Sequence, residues 1–171
     1  AEELTAQLLD LNGPSYMRTT RNKVPRMYED GDKLRIGKGS LLKEGDDLAI
    51  FSCGVMVVEA MAASDTLSAE GIECSVVDMH TIKPLDKSLI SKLATRCGCF
   101  VSAEDHSVIG GLGSALSEWI AANNPIPLEM VGVKDMFGQS GSSSELMEIM
   151  GLTQTDICEA ARRAVGRKNS L

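Results

Sequence analysis

Apolar residues along the chain follow two patterns, which alternate from about residue 48 onward. Short runs rich in β-branched residues predict buried strands. These runs occupy residues 48–52, 74–78, 99–102 and 128–131. In the longer segments between and after them, apolar residues recur every three or four positions, which predicts helices. The predicted helices are 55–70, 86–95, 113–122, 143–150 and 153–165.

The order of these elements indicates the fold class. Strands that alternate with helices through short turns predict an α/β fold, with a three-layer, mostly parallel sheet and helices on both faces. Two helix starts carry a signal of their own, because Ser142-x-x-Glu145 has the form of a capping box and Thr153 can cap the next helix with Asp156 in its first turn. A ligand crevice of such a fold lies at the carboxyl ends of its strands.

The first forty residues have a different pattern. The elements predicted there are a helix at 2–10, a turn at 12–14 and a strand at 15–19. Residues 21–40 are polar, contain Pro25 and three glycines, and show no period, which is typical of a linker. Because one helix and one strand cannot bury a core alone, we interpret residues 1–20 as the tail of another domain.

Length and composition limit what the chain can be. Its 171 residues, 43% of them apolar and 24% charged, suffice for one ordinary domain, with or without a short adjoining piece. No apolar run approaches the roughly 20 residues that span a bilayer. The acidic start, Ala1-Glu2-Glu3, lacks the apolar core of a signal peptide. These features predict a soluble protein.

The charge and the cysteines narrow the choice of partners and compartment. The net charge is −7, and it is uneven: residues 1–43 carry eight Lys/Arg and six Asp/Glu, whereas residues 44–171 carry nine and eighteen. An acidic surface repels nucleic acid and anionic membranes, so we expect neither as a partner. The five cysteines, most of them in apolar stretches, fit buried, reduced thiols of a cytoplasmic protein better than a secreted disulfide framework.

The first group of residues that could carry chemistry is basic. Arg18, Arg21, Lys23 and Arg26 place four cations within nine residues, with no acid among them. Guanidinium groups match planar anions, so this group could bind a phosphate or a carboxylate. The other interpretation is a solvated basic linker, and the spacing alone favours it.

The second and third groups contain glycines. Glu104-Asp105-His106 follows a predicted strand, where a carboxylate beside an imidazole could act as an acid/base pair, and Gly110-Gly111-x-Gly113 could open a helix toward an anion. The irregular glycine spacing favours the alternative, a loop histidine and glycines that permit close packing of helix on sheet. A Gly/Ser loop in residues 137–145 could cradle phosphate, but helix capping explains it without a ligand.

Several other kinds of site lack the residues they need. No Walker lysine follows the Gly/Ser loop, and no Gly-x-Ser-x-Gly elbow is present. Cys97-Gly98-Cys99 with the distant His80 and His106 does not have zinc spacing, and His80, which closes a strand, is interpreted as structural. The residues alone therefore indicate an α/β domain without a complete active site.

Several stretches of the chain, taken in order, point to a known family. They are Tyr16-Met17-Arg18-Thr19-Thr20-Arg21, residues 45–51, residues 81–86, residues 101–106 with Gly110-Gly111-x-Gly113, Gly138-x-x-Gly141 with Ser144-Glu145-Leu146, and Gly151-Leu152-Thr153. Together they resemble transketolase, specifically its C-terminal section, over nearly the whole chain. The Ile-Lys-Pro-Leu-Asp and Glu-Asp-His stretches are the most specific. Deoxyxylulose-phosphate synthase and the pyruvate dehydrogenase β-subunit share the architecture but match these two stretches less well.

The resemblance implies an activity that this chain cannot perform alone. A transketolase transfers a two-carbon ketol unit from a ketose phosphate to an aldose phosphate with thiamine diphosphate and magnesium. In the family, the diphosphate and magnesium lie on an N-terminal domain with a Gly-Asp-Gly motif, and a glutamate on a middle domain activates the cofactor. This sequence contains neither the motif nor that glutamate. Gly31-Asp32 is followed by Lys33, so it does not form the motif. The resemblance thus implies no catalytic residue here and a cofactor bound outside this chain.

The resemblance also implies a domain division and one site residue. The division is 1–20, the tail of the middle, pyrimidine-binding domain; 21–40, a linker; and 41–171, the C-terminal domain. Arg21 matches the arginine that binds the substrate's phosphate in the family. Arg18 has no role that carries over, and Glu104, Asp105 and His106 stay structural.

We therefore predict the C-terminal part or subunit of a transketolase, inactive alone, that contributes Arg21 to the binding of sugar phosphates. Its partner would be an upstream segment or a separate N-terminal subunit with the Gly-Asp-Gly motif, in a cytoplasmic homodimer or heterotetramer. Two alternatives stay open. One is the corresponding part of a deoxyxylulose-phosphate synthase-like enzyme, and the other is a non-catalytic binding or regulatory module of the same fold.

Overall fold

The computed structural model describes residues 1–20 and 23–170 of the chain. Its strands are β1 (Ser40–Lys43), β2 (Leu48–Ser52), β3 (Cys74–Asp78), β4 (Phe100–Ser107) and β5 (Leu128–Val133). Its helices are α1 (Glu2–Leu8), α2 (Met56–Ala69), α3 (Lys87–Cys97), α4 (Leu112–Asn123), α5 (Ser143–Met150) and α6 (Gln154–Lys168). Within the described residues the strands form one sheet in the order β1-β3-β2-β4-β5, parallel except for β1, which is antiparallel to β3.

Helices cover both faces of the sheet. Successive side chains of a strand point to opposite faces, so each central strand contributes to two cores. Ile50 and Val101 pack in one core with Ile157 of α6 and with residues of α2. Phe51 and Phe100, whose ring centroids lie 4.8 Å apart, pack in the other core with residues of α3 and α4. The predicted three-layer α/β fold is confirmed.

Both predicted capping boxes are present. At the start of α5, the Ser142 hydroxyl accepts a hydrogen bond from the Glu145 N–H, and the Glu145 carboxylate accepts one from the Ser142 N–H. Thr153 and Asp156 exchange the same pair of bonds at the start of α6. These bonds satisfy N–H groups that the first turn of a helix leaves without an internal partner, so the two helices begin where the sequence predicts.

Two features of the sheet differ from the prediction. β1 adds an edge strand beside β3, but its four residues are all half-buried and its register is irregular, so it has no alternating pattern to reveal it. β4 continues beyond residue 102 to Ser107, which pairs with Val133 of β5. Glu104, Asp105 and His106 therefore lie within a strand rather than after it.

The strand predicted at residues 15–19 is wrong, because these residues are irregular and belong to no sheet in the described part of the chain. A strand needs a neighbour for its backbone hydrogen bonds, and this segment has none beside it among the described residues. The predicted helix is present as α1, and its Gln7 side chain binds the segment that leads toward β1. Nε2 of Gln7 donates to the Leu34 carbonyl (2.6 Å), and Oε1 accepts from the Ile36 N–H (3.0 Å).

The burial of the cysteines agrees with the sequence analysis. Four of the five are buried and Cys53 is half-buried, so all behave as core residues. In the described part of the chain, no helix combines the length and the apolar character that a membrane crossing requires.

Candidate functional site at the carboxyl edge

The carboxyl ends of the parallel strands bring together polar residues that lie far apart in the sequence. β3 ends at Asp78, and residues 104–107 are the last four residues of β4. Arg18 and Tyr28 of the N-terminal segment reach the same place through hydrogen bonds to Asp105 and Asp78. We call this region, residues 78–80 and 104–107 with the side chains that bind them, the carboxyl edge. A fold of this class places its ligand crevice there.

Glu104 is a buried carboxylate that caps a helix. It is 1% exposed, and its two oxygens accept hydrogen bonds from the N–H groups of Leu112 (2.7 Å) and Gly113 (2.8 Å), at the start of α4. A negative charge at a helix N-terminus is favoured by the helix dipole. Gly111 makes room for it, since a Cβ there would lie 2.0 Å from a Glu104 oxygen. The anion bound at the N-terminus of α4 is thus the carboxylate of Glu104.

His106 and Glu104 do not form a hydrogen-bonded acid/base pair. Nδ1 of His106 lies 3.9 Å from Oε2 of Glu104, which is too long for a hydrogen bond. Nδ1 lies instead 2.9 Å from the Ser107 carbonyl, which can only accept, so Nδ1 carries the proton. The imidazole is half exposed. The structure therefore supports the structural interpretation of this pair and of the glycines that follow.

Asp78 is the second buried carboxylate of the carboxyl edge. It is 8% exposed, and one of its oxygens accepts a hydrogen bond from the Tyr28 hydroxyl at 2.6 Å. Its other oxygen, Oδ1, has no hydrogen-bond partner among the described residues. Burial raises the pKa of Asp78 above its usual range, although the Tyr28 hydrogen bond opposes that shift. Burial and the Asp78 contact also raise the pKa of Tyr28, so its hydroxyl stays protonated and donates.

His80 lies just beyond β3, near Asp78. Its Nδ1 is 3.0 Å from the Thr81 hydroxyl, and its Nε2 is buried without a partner among the described residues. Burial lowers the pKa of His80, and the charge of Asp78 opposes the shift. The imidazole is therefore mainly neutral near pH 7, which agrees with its interpretation as a structural residue.

The basic group from the sequence analysis reaches the carboxyl edge in part. Nη2 of Arg18 donates to the Asp105 carbonyl at 2.7 Å. Arg26 forms an ion pair with Asp30, and its Nε donates to the Tyr28 carbonyl at 2.7 Å. Lys23 is exposed. Arg21, the predicted phosphate ligand, lies outside the described residues, so its role stays a prediction.

Cys53, directly after β2, has a thiol that is poorly suited to act as a nucleophile. Burial, reinforced by the charges of Glu104 and Asp78, raises the pKa of its thiol to about 12. The reactive thiolate is therefore scarce at neutral pH. Among residues 1–20 and 23–170, no group of three or more His, Cys, Asp or Glu side chains is placed to hold a metal ion.

A groove at the opposite end of the sheet has a different character. It has a volume of about 910 Å³ and lies between α4, α6 and the first residues of β5, with Ile120, Pro127 and Leu128 in its wall. The Arg163 and Arg167 guanidiniums in that wall share the Glu129 carboxylate, at 3.0 and 2.7 Å. The groove lies away from the carboxyl ends of the strands, where a fold of this class places its ligand crevice, so the carboxyl edge is the better candidate site.

The architecture defines the chain as an α/β domain whose polar groups meet at the carboxyl ends of parallel strands. Residues 37–157 match the family described as "Transketolase, C-terminal domain". The chain belongs to the transketolase family, and it contains that family's C-terminal domain.

Two curated relatives and one solved structure show how the chain compares with the family. The "6-deoxy-6-sulfo-D-fructose transketolase subunit SqwH" of Clostridium sp. (strain MSTE9) is 43% identical over 95% of this chain and 51% of its own length. The "1-deoxy-D-xylulose-5-phosphate synthase" of Trichormus variabilis is 38% identical over 91% of this chain and 25% of its own length. A structure titled "Split gene transketolase, inactive beta4 tetramer" has a TM-score of 0.94 and 40% identity, over 97% of this chain and 55% of that chain. The chain thus spans about half the length of the first relative and about a quarter of the length of the second.

The cofactor of the family, thiamine diphosphate with magnesium, does not fit the two helix starts that the sequence offered as anion cradles. These are the glycine-containing segments before α4 and α5, the first a candidate for an anion and the second for a phosphate. The first N–H groups of α4 are taken by Glu104, and the start of α5 is closed by the reciprocal bonds of Ser142 and Glu145. Both candidate cradles are therefore filled by carboxylates of the chain itself.

Tyr28 and Asp78 cannot be recognised as a pair from the sequence alone. Some signal was present, since Asp78 interrupts an apolar run at the end of a predicted strand and Tyr28 is the sole aromatic residue in 21–40. Neither feature reveals the other, because fifty residues separate them and the fold brings them together.

Proposed function

We propose that this chain is the C-terminal part or subunit of a transketolase, which transfers a two-carbon ketol unit from a ketose phosphate to an aldose phosphate. The observation that carries the proposal is the 43% identity to a transketolase subunit over 95% of this chain, together with a 0.94 TM-score to a split-gene transketolase. The chain would support assembly, contribute a phosphate-binding arginine, and be inactive alone.

The domain division and the partners belong to the same proposal. Residues 1–20 form the tail of a middle domain, 21–40 a linker and 41–171 the C-terminal domain. The partner is an upstream segment or a separate N-terminal subunit with a Gly-Asp-Gly motif, in a cytoplasmic homodimer or heterotetramer. The relative lengths support this view, because the chain spans about half of a protein that is itself named a subunit.

Within the assembled enzyme, this chain's own residues would bind and orient the substrate's phosphate. When bound, thiamine diphosphate supplies the carbon nucleophile and the electron sink of ketol transfer. Arg21 would form charge-assisted, bidentate hydrogen bonds to the phosphate of the sugar. Arg18, three residues before it, is held at the carboxyl edge by the Asp105 carbonyl. This contact brings one arginine of the basic group to the carboxyl edge, which supports a phosphate-binding role for that group.

The assembled enzyme with Arg21→Ala tests the proposal. We expect the KM for a ketose phosphate to rise on the order of 10- to 100-fold, because an arginine–phosphate contact contributes about 1.5–3 kcal/mol. Steady-state kinetics with a ketose phosphate and with a non-phosphorylated ketol donor would measure the effect. The KM for the non-phosphorylated donor should not change. Arg35→Ala, which removes an exposed cation from the same part of the chain, is the matched control. An unchanged KM in the Arg21 variant would remove the site assignment.

A deoxyxylulose-phosphate synthase-like enzyme is the second candidate function. The 38% identity to such a synthase over 91% of this chain is the observation that favours it. Substrate profiling of the assembled enzyme separates the two. Ketol transfer between sugar phosphates supports the first candidate, whereas formation of deoxyxylulose phosphate supports the second.

A further inference from the structure

Large apolar side chains are exposed at one end of the sheet and not at the other. Ile82, Ile109 and Phe137 are exposed in the loops that follow the carboxyl ends of β3, β4 and β5. In the described part of the chain, the turns at the opposite end expose no large apolar side chain; these turns are residues 44–47, 70–73, 98–99 and 124–127. Exposed apolar patches of soluble proteins mark interaction sites, so this distribution points to an interface at the carboxyl ends of the strands.

The loop after β5 carries the most exposed of these side chains. Met136 and Phe137 lie in the irregular loop 134–142, and Phe137 is 98% exposed. Residues 134–141 are all exposed, and they form no hydrogen bond or ion pair within the described part of the chain. A surface loop that its own chain stabilises so little, with an aromatic side chain in solvent, is typical of a binding loop.

The loop after β4 adds an apolar side chain beside it. The Val108 N–H donates to the Val133 carbonyl at 3.0 Å, so the two loops leave the sheet side by side. Ile109 is the next residue, and it is 64% exposed. We call Ile109, Met136 and Phe137, which lie on these two loops, the apolar loop surface.

The N-terminal segment lies at the same end of the sheet. Nη2 of Arg18 donates to the Asp105 carbonyl, near the end of β4, at 2.7 Å. The Ala1 amino group is close enough to Asp78, the last residue of β3, to interact with its charge. The chain therefore enters the described structure at the end that carries the apolar loop surface.

This segment also leaves apolar side chains uncovered. α1 has seven residues and only Leu4 among them is buried, whereas Leu9 and Tyr16 are 86% and 88% exposed. A helix this short is marginal in water without packing partners. We therefore expect another body of protein to cover the segment, and that body would meet the apolar loop surface at the same end of the sheet.

We propose that the apolar loop surface docks on the body of the middle domain, the part of the transketolase whose tail is residues 1–20. This inference rests on the proposed function. The match covers 51% of the length of the SqwH relative, which leaves about half of that protein to supply such a body. Phe137 is the anchor of the contact, because a large aromatic side chain that is exposed before binding buries much apolar surface on docking.

Photocrosslinking in the assembled enzyme identifies what covers the surface. Phe137→p-benzoylphenylalanine keeps an aromatic side chain and, on irradiation, bonds covalently to whatever lies against it. We expect mass spectrometry to find its cross-links in the upstream part. Ala122→p-benzoylphenylalanine is the matched control, at an exposed residue in the last turn of α4, and should give no cross-link to that part. Cross-links from position 137 to a second copy of this chain, or none at all, would overturn the inference.

Truncation of the anchor measures its contribution to docking. We expect Phe137→Ala to weaken the binding of this chain to the upstream part, supplied as a separate chain, about 10- to 100-fold. Fluorescence anisotropy of a labelled upstream part measures the dissociation constant. The unfolding midpoint of the isolated variant should match wild type, because the removed ring is exposed. Phe137→Leu, which stays apolar, should lose less affinity, and Asn123→Ala, at an exposed residue of α4, should bind as wild type does.

Ketol transfer by the wild-type chain mixed with the upstream part keeps the two failures apart. If this mixture is active and Phe137→Ala binds the upstream part as tightly as wild type, the docking inference is wrong and the proposed function stands. If the wild-type mixture transfers no ketol unit, the proposed function fails, and the docking inference fails with it.

Discussion

Glu104 shows how one side chain can decide the character of a site. On β4, Ser102 and Glu104 face α4, whereas Val101 and Ala103 face α2 and α6, because side chains alternate along a strand. The sequence marks Glu104-Asp105-His106 as a polar group beside glycines. It does not show that the strand continues through these residues, and only that continuation turns Glu104 inward. The carboxylate consequently caps α4 rather than acting on a substrate.

We expect Glu104→Ala to lower the free energy of unfolding by about 3 kcal/mol, because it leaves two buried N–H groups of α4 without their acceptor. Urea unfolding followed by circular dichroism would measure the loss. Glu118→Ala, an exposed glutamate of the same helix, is the matched control and should change stability by less than about 0.5 kcal/mol. Equal stabilities of the two variants would show that the cap contributes nothing.

At the scale of elements, the sequence predicts best what local chemistry determines. α5 and α6 begin at their capping boxes, and β2 and β3 have the predicted bounds, since buried apolar runs and capping residues are local signals. β1 could not be found in this way, because an irregular edge strand exists only through its neighbour β3. The false strand at residues 15–19 has the converse cause: its residues suit a strand, but no neighbour lies beside them in the described chain.

The two capping boxes should differ in their effect on stability. We expect Thr153→Ala to cost about 1 kcal/mol of unfolding free energy, because α6 buries five residues in the core and its first turn would lose a cap. Ser142→Ala should affect global stability less, since α5 has no fully buried residue and can fray without exposing the core. Chemical unfolding of both variants measures the difference.

Thr155→Ala is the matched control for the α6 cap. This threonine is exposed in the first turn of the same helix, where alanine is the better helix former, so the substitution should be neutral or slightly stabilising. A Thr153→Ala protein as stable as the Thr155→Ala protein would mean that the start of α6 is fixed by tertiary contacts alone. The bond from the Gln154 N–H to Glu59, at 2.8 Å, is one such contact.

At the scale of the whole molecule, the sequence pattern predicts the layers but not the path of the first forty residues. Alternating strands and helices can stack in only a few ways, so the pattern predicts the three layers. The N-terminal segment has no period, and its place is set by single contacts to distant residues, such as Arg18 with Asp105 and Tyr28 with Asp78. These contacts bring a basic segment to an acidic domain, which is why the candidate site became visible only in the folded chain.

The isolated chain should neither bind thiamine diphosphate nor transfer a ketol unit. Its two glycine-containing segments, which the sequence offered as cradles for an anion, are closed by Glu104 at α4 and by Glu145 at α5. A calorimetric titration with thiamine diphosphate and magnesium should therefore give only heats of dilution, whereas the enzyme assembled with its upstream part should bind. Saturable binding by the isolated chain would mean that one of these carboxylates gives way to the diphosphate. Glu104→Gln should then strengthen that binding if the site is at α4, because it removes the competing charge from the helix N-terminus.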